Sequence, residues 1–194
     1  MDKSSTIKSN LLASIELKQL ILENDHLIQA IESCVDEILK SYSSGGKVLF
    51  CGNGGSAADA QHLAAELSGK YYLDRDPLHA EALHVNSSFL TAVANDYSFD
   101  HTYARLVKAN AQKGDVLIGL STSGNSDNVI NALIEGQKKG CITIGMTGSD
   151  GGKMNDHCKI LLKIPSEDTP RIQECHMLIG HTICEIVEQK LFSK

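Results

Sequence analysis

Five short apolar runs, at residues 48–51, 82–85, 116–120, 141–146 and 160–164, alternate along this chain with stretches of helical composition. Nothing in the sequence constrains the fold more. Runs that are apolar throughout, rather than at every second residue, belong to strands covered on both faces, and strands that alternate with helices pair in parallel. The intervening helical stretches fall at 56–68, 88–94, 100–111, 127–139 and 169–192. The expectation is an α/β fold with a doubly wound, five-stranded parallel sheet. Before the first strand, residues 7–43 contain no proline, and Leu11, Leu12, Ile15, Leu20, Ile21, Leu27, Ile28, Ile31, Val35 and Ile38 recur at helical spacing. Two helices meeting near Glu23-Asn24-Asp25 form an arm (1–43) ahead of the sheet core (44–194), within one domain of 194 residues. Such an arm either packs on a neighbouring subunit or caps the sheet.

In doubly wound sheets ligands sit beyond the carboxyl ends of the strands. The unusual polar loops of this chain fall there, at 52–56, 121–126, 147–153 and 165–171. The first, within CGNGGSAADAQHLAAE (51–66), is a strand–glycine turn–helix in which backbone N–H groups can approach a polar ligand closely. Ser56 is the expected N-cap, with Asp59 at the acidic position of a capping box. His62 and Glu66 stand at i and i+4 and project from one helix face. Opposite them runs the apolar stripe Ala60, Leu63, Ala64 and Leu67, so a plain solvated face is the competing reading.

The second loop, Ser121-Thr122-Ser123-Gly124-Asn125-Ser126, places four hydroxyls and a glycine at a helix N-terminus. That set can donate several hydrogen bonds to one phosphate without a cationic side chain. No G-x-x-x-x-G-K-[ST] occurs, which excludes a nucleotide P-loop. Gly52-Asn53-Gly54-Gly55-Ser56-Ala57 fits G-x-G-x-x-A, but the acids some 20 residues on, Asp74 and Asp76, precede the second strand instead of ending it, against a dinucleotide site.

A net charge of -6 and a pI near 5.7 give no reason to expect nucleic acid or an acidic membrane as partner. No apolar run reaches the roughly 18 residues of a membrane span, and MDKSSTIKSN lacks the apolar core of a signal peptide. The expectation is a cytoplasmic protein whose six scattered cysteines are buried free thiols. His176 reads as a core residue, and His26, His79, His84, His101 and His157 have no assignable role.

Taken together, CGNGGSAADAQHLAAELSGKY, the pair Asn95-Asp96, STSGNS and RIQECHMLIGHTIC resemble the sugar isomerase (SIS) fold and, within it, the bacterial phosphoheptose isomerase family, from about residue 43 to the C-terminus. The resemblance implies a cytoplasmic homotetramer with active sites between subunits. It implies aldose–ketose isomerisation of a phosphorylated seven-carbon sugar, sedoheptulose 7-phosphate, early in heptose supply for lipopolysaccharide. Matching motif to motif, Asn53, Gly54, Gly55 and Ser56 contact the sugar, with Asn95 and Asp96 nearby, and Ser121, Thr122, Ser123 and Ser126 hold the phosphate. Glu66 is the implied base, His181 the acid or its proton-transfer partner, and Gln173 a further substrate contact. Asp168 lies in a loop that varies in the family.

Zinc is the implied cofactor, one per subunit, with His62, Glu66, Gln173 and His181 as ligands. Two imidazoles and a carboxylate suit zinc, whereas a glutamine is an unusual ligand. On one straight helix, Gln173 and His181 lie about 12 Å apart along the axis and about 80° apart around it. They therefore serve one ion only from different chains, or from a helix that is irregular near Gln173. Two other functions fit the same fold: a non-catalytic relative that binds a replication initiator, and an isomerase of another phosphosugar such as a pentose phosphate. Retention of both Glu66 and His181 separates this chain from the first.

Overall fold

Two helices precede the first strand in the computed structural model, which describes residues 2–192. The first, α1 (Lys3–Leu22), ends where Asn24 takes over as N-cap of α2 (Asp25–Ser43), its side-chain oxygen accepting from Leu27 N–H at 3.1 Å. An asparagine satisfies an orphan N–H in this way and so sets the break between the helices. Leu17 and Ile21 are the buried residues of α1, while Ile7, Leu11, Leu12 and Ile15 are each at least 56% exposed.

The core is a five-stranded parallel sheet in the order β2-β1-β3-β4-β5, formed by β1 (Val48–Gly52), β2 (Ala80–Ala82), β3 (Val116–Leu120), β4 (Ile142–Thr147) and β5 (Ile160–Lys163). Every residue of β1 and β3 is buried. Each large aliphatic side chain so covered contributes about 1.5–3 kcal/mol, which is why these segments read as continuous apolar runs. The doubly wound fold expected from the alternation is the one observed. On one face α2, α3 (Gly55–Ser68) and α7 (Thr169–Phe192) build one apolar core; on the other, α5 (Thr102–Asn110) and α6 (Asp127–Lys139) build a second. A short helix α4 (Ser87–Asp96) and a 3-10 turn (Phe99–His101) join β2 to α5.

One strand is displaced from its expected position. The apolar residues Leu83 and Val85 favour a strand at 82–85, but the sheet takes Ala80–Ala82, and Val85 is exposed. Parallel pairing of Val48 with Ala80 and Phe50 with Ala82 sets the register of this edge strand. Pairing outweighs hydropathy in so short a strand. The six cysteines are free, and all but Cys158 are buried. Burial pushes the thiols of Cys34, Cys51, Cys158 and Cys184 up to about 12, so they pack as small apolar groups.

The chain passes from β1 out to β2 and returns to β3 on the other side of β1. The strand order reverses between β1 and β3, and that reversal opens a crevice at their carboxyl ends. Helices α3 and α7 cover the sheet side by side and in the same direction. They pack closely at Gly180, where an added Cβ would lie 2.6 Å from the Leu63 side chain. A glycine inside a helix costs about 1 kcal/mol relative to alanine; here it lets the two axes close up.

His176, on α7, is fully buried, with Nε2 3.3 Å from the carbonyl of Thr147 and Nδ1 unpaired. Burial pushes its pKa down to about 4, the Thr147 carbonyl opposing only in part. A histidine held neutral below its unfolded value of about 6.5 contributes fully above pH 6.5. That contribution is lost as pH falls toward 4, because the unfolded chain then takes a proton the native one refuses, for a total of about 3 kcal/mol. Urea unfolding between pH 7.5 and 4.5 therefore shows a steeper loss of stability for the wild type than for His176→Leu; parallel curves would exclude His176 as the titrating group.

Candidate active site

The chain leaves β1 through Gly52 and Asn53 and enters α3 at Gly54, whose φ of 55° lies in the left-handed region. Positive φ at this position favours glycine. Gly54 is the N-cap, without a side-chain bond, and the N–H groups of Ala57 and Ala58 are taken by the carbonyls of Asn53 and Gly54. The capping box expected of Ser56 and Asp59 is therefore absent. Ser56 lies buried in the first turn, and Asp59 keeps one buried, unpaired carboxylate oxygen. Burial raises the Asp59 carboxyl above its usual range, with His62 acting in the opposite direction. Beneath the turn, the buried Tyr103 hydroxyl donates to the Gly52 carbonyl at 2.6 Å.

Across the crevice, β3 runs into the serine turn. Gly124 has φ of 66° and packs against the Gly151 carbonyl, leaving no room for a Cβ. The hydroxyl of Ser121 lies 2.9 Å from that of Ser126 and 3.5 Å from that of Ser123. Three of the four expected hydroxyls thus converge, and Thr122 and Ser123 line a cleft of about 350 Å³ with Gly148, Ser149 and Gly151. The two turns are joined by a residue that carries no signal in the sequence. Asn53 and the buried Asn128 exchange amide hydrogen bonds, Nδ2 to Oδ1 at 2.8 Å in both directions. Asn128 sits in the first turn of α6 and reads there as one more polar helix-start residue.

The third group lies farther down α3. His62 Nε2 is 2.9 Å from Glu66 Oε1 and 3.1 Å from His181 Nε2, and ligand atoms of all three lie within 4.8 Å of one another. The His62–Glu66 pair is therefore more than a solvated face, since α7 brings His181 to it from 119 residues away. One proton on His62 Nε2 would have to be shared between two acceptors, whereas a cation accepts a lone pair from each group. Two imidazole nitrogens, a carboxylate and an open fourth position form the donor set of a catalytic zinc site, and these residues fit that ion. Glu66 keeps 23% of its side chain exposed and lines a cleft of about 400 Å³ with His62 and Gln61. The ring of Tyr71, also unforeseen from the sequence, stands 5.9 Å from that of His181.

Gln173 is not with this trio. Its amide lies over Gly55, where an added Cβ would be 2.7 Å from Nε2, and α7 is a continuous α-helix from Thr169 to Phe192. With α3 and α7 parallel, Gln173 accompanies the glycine turn and His181 accompanies His62, two helical turns apart. Within one chain Gln173 therefore stands apart from His62, Glu66 and His181, as the spacing of residues 173 and 181 on a straight helix leads one to expect. No irregularity of the helix relieves the separation. Asn95 and Asp96 are exposed at the end of α4, where Asn95 donates to Asp96 at 3.0 Å. Among the described residues neither bonds to the glycine turn.

The amide pair makes Asn128 a measurable tie. In chemical denaturation Asn128→Ala loses about 1–3 kcal/mol, because it strands a paired, partly buried amide. The Asn53→Ala, Asn128→Ala cycle shows a coupling energy of about 1 kcal/mol or more. Strict additivity would mean that the two amides do not depend on each other.

Residues 15–148 match the model of the SIS domain. The chain is 50% identical to a phosphoheptose isomerase from Clostridium acetobutylicum over 97% of its own length and 96% of that protein's. It is 49% identical to phosphoheptose isomerase 2 of Campylobacter jejuni, over 98% and 95% of the two chains. Among solved structures, the phosphoheptose isomerase of Neisseria gonorrhoeae superposes with a TM-score of 0.91 at 40% identity, covering 97% of this chain and all of that one. With five parallel strands, the same helical layers and this likeness over nearly its whole length, the chain belongs to the phosphoheptose isomerase family of SIS-domain proteins.

Proposed function

We propose that the protein interconverts sedoheptulose 7-phosphate and D-glycero-D-manno-heptose 7-phosphate through a cis-enediol. The observation that carries this reading is the convergence of Glu66 and His181, from separate helices, beside an open cleft. The Glu66 carboxylate takes the proton from C1 of the ketose while O2 gains one. The resulting enediol gives up the proton on O1, and Glu66 returns its proton to C2. His181 carries the hydroxyl proton between O1 and O2, and the hydroxyls of Ser121, Thr122, Ser123 and Ser126 donate to the phosphate. A base of this kind works only where the developing oxyanion is stabilised. His62, Glu66 and His181 would hold zinc, which would supply polarisation of the substrate's oxygens. A carboxylate or imidazole nitrogen engaged by the ion is a poorer proton carrier, so the proton transfers are assigned to Glu66 and His181 without the ion.

The arrangement of a single chain favours an assembly in which copies share the site. From Gly55 to Glu66 is eleven residues of α3, about 16 Å along the helix axis. From C2 to the phosphorus of an extended heptose phosphate is seven bonds of about 1.5 Å, a zigzag of about 9 Å. Along α3, Glu66 therefore lies farther from the glycine turn, which Asn53 ties to the start of α6, than such a sugar phosphate extends. The trio of one copy working on a phosphate held by another removes the difficulty and allows Gln173, Asn95 and Asp96 to join the site from a second copy. The exposed apolar residues of α1 offer surface for such contacts, and we infer a homotetramer.

Aldose formation from sedoheptulose 7-phosphate tests the chemistry. Glu66→Gln and His181→Ala lose about 10²–10⁴-fold in kcat with their circular dichroism unchanged, while Ser123→Ala chiefly raises KM. Full turnover by Glu66→Gln would remove the base. Co-expressing Glu66→Gln with a Ser121→Ala, Ser123→Ala chain tests the sharing of sites. Hybrid assemblies regain activity where base and phosphate grip come from different copies, and regain none if each chain holds a whole site. Light scattering reports the mass of four chains.

A further inference from the structure

Beyond the groups that would touch substrate, one fully buried ion pair connects the two helices of the trio. Arg75 and Glu188, whose side chains are 3% and 1% exposed, pair through Nε and Oε1 at 3.0 Å. Arg75 also donates through Nη2 to the carbonyl of Glu66 at 3.0 Å, and through Nη1 to those of Leu67, Gly69 and Asp76 at 2.8, 3.0 and 3.1 Å. It thereby satisfies orphan carbonyls at the end of α3. Glu188 accepts from the N–H groups of Tyr71, Tyr72 and Leu73 at 3.3, 2.8 and 2.9 Å. Burial would raise its carboxyl, but these donors and the guanidinium outweigh that and hold it below its ordinary value. Phe192 lies 5.4 Å from the guanidinium carbon and covers its outer side.

The consequence is geometric. Glu66, through its own carbonyl, is tied to Arg75; Arg75 is tied to Glu188; and Glu188 lies on α7 two turns beyond His181. The same carboxylate fixes the turn that sets the Tyr71 ring beside the His181 ring. We propose that Arg75 and Glu188 are positioning residues of the isomerase site, a clamp that holds the Glu66 end of α3 in register with His181 and seats Tyr71 against it. A pair kept for stability alone is a weak device, because the desolvation of two charges offsets much of their attraction. This pair ties down seven backbone groups around the catalytic side chains. An apolar pair of the same volume would remove these bonds, leaving only the Leu67 carbonyl with another backbone donor, the Leu78 N–H.

The inference rests on the isomerase reading, and the assay separates the two. A wild-type protein inert toward sedoheptulose 7-phosphate would overturn that reading, whatever the variants do. With an active wild type, Glu188→Gln and Arg75→Lys are compared for kcat, KM and thermal unfolding. Loosening the clamp lowers kcat by about 10- to 100-fold, the usual cost of freeing a group that orients another, with KM nearly unchanged because the serine turn is untouched. Arg75→Lys is the more damaged, since lysine keeps the charge but not the planar fork that reaches several carbonyls. A folded Glu188→Gln or Arg75→Lys with wild-type kcat overturns the proposal, as does a rise in KM at constant kcat. Should both variants fail to fold, Tyr71→Ala, which truncates a half-buried ring, decides: kcat falls about tenfold at unchanged KM if the clamp serves to seat it, and wild-type kcat overturns the proposal.

Discussion

The close approach of α3 and α7 at Gly180 is the constraint on which the site depends. Two helices lying side by side in the same direction keep a fixed register, so residues at equal depth meet: Gly55 with Gln173, Leu63 with Gly180, His62 with His181. The direction follows from the sheet. Both helices return across one face of strands that all run the same way, and each therefore runs opposite to the strand before it. A side chain at position 180 would lie 2.6 Å from the Leu63 methyls, which would have to leave the seam that holds His62 and His181 at equal depth. The catalytic geometry is thus a by-product of core packing, and the glycine that permits it sits next to the histidine it serves.

The winding of the sheet makes the second half of the site. With β1 and β3 adjacent and the chain leaving in opposite directions from them, the glycine turn and the serine turn face each other across the switch point. Neither turn is held by its own sequence alone. The Asn53–Asn128 amide pair spans the gap, the Tyr103 hydroxyl holds Gly52 from below, and the Gly151 carbonyl leaves no space for a side chain at Gly124. A phosphate grip made of hydroxyls has no charge to draw the ligand from a distance. Its selectivity rests on hydroxyls already gathered, and these ties gather them.

This division explains what could be read from the sequence. Elements with a strong period or a strong stop were legible: the buried strands, the long amphipathic α2, and the break at Asn24. So were the two turns, because glycine and serine at the end of a buried strand have few other uses. The edge strand was displaced because backbone pairing with β1, and not the apolar Leu83 and Val85, sets its register. Ser56 does not cap α3 because a helix start has two solutions, a side-chain cap or a positive-φ glycine, and composition does not choose between them. Arg75 with Glu188, and Asn53 with Asn128, lie 113 and 75 residues apart. Pairs so distant leave no trace in local pattern. His181 entered the reading only through resemblance to a family, since a lone histidine in an apolar run otherwise suggests a core residue, as His176 proved to be.

The carboxylates themselves show where chemistry is possible. Asp115 and Glu188 are 2% and 1% exposed, and each has a cation and several N–H donors: Lys47 Nζ with the N–H groups of Lys47 and Gln112 for the first, Arg75 with three consecutive N–H groups for the second. A buried charge persists only when so satisfied, and a carboxylate whose lone pairs are all engaged cannot accept a proton from carbon without breaking the structure that holds it. Glu66 is the opposite case. It is 23% exposed, has one imidazole partner, and stands at an open cleft. Glu188 is saturated, and by being saturated it fixes the backbone from which Glu66 projects. The fold uses one carboxylate as an anchor so that another, joined to it through Arg75, can remain free to react.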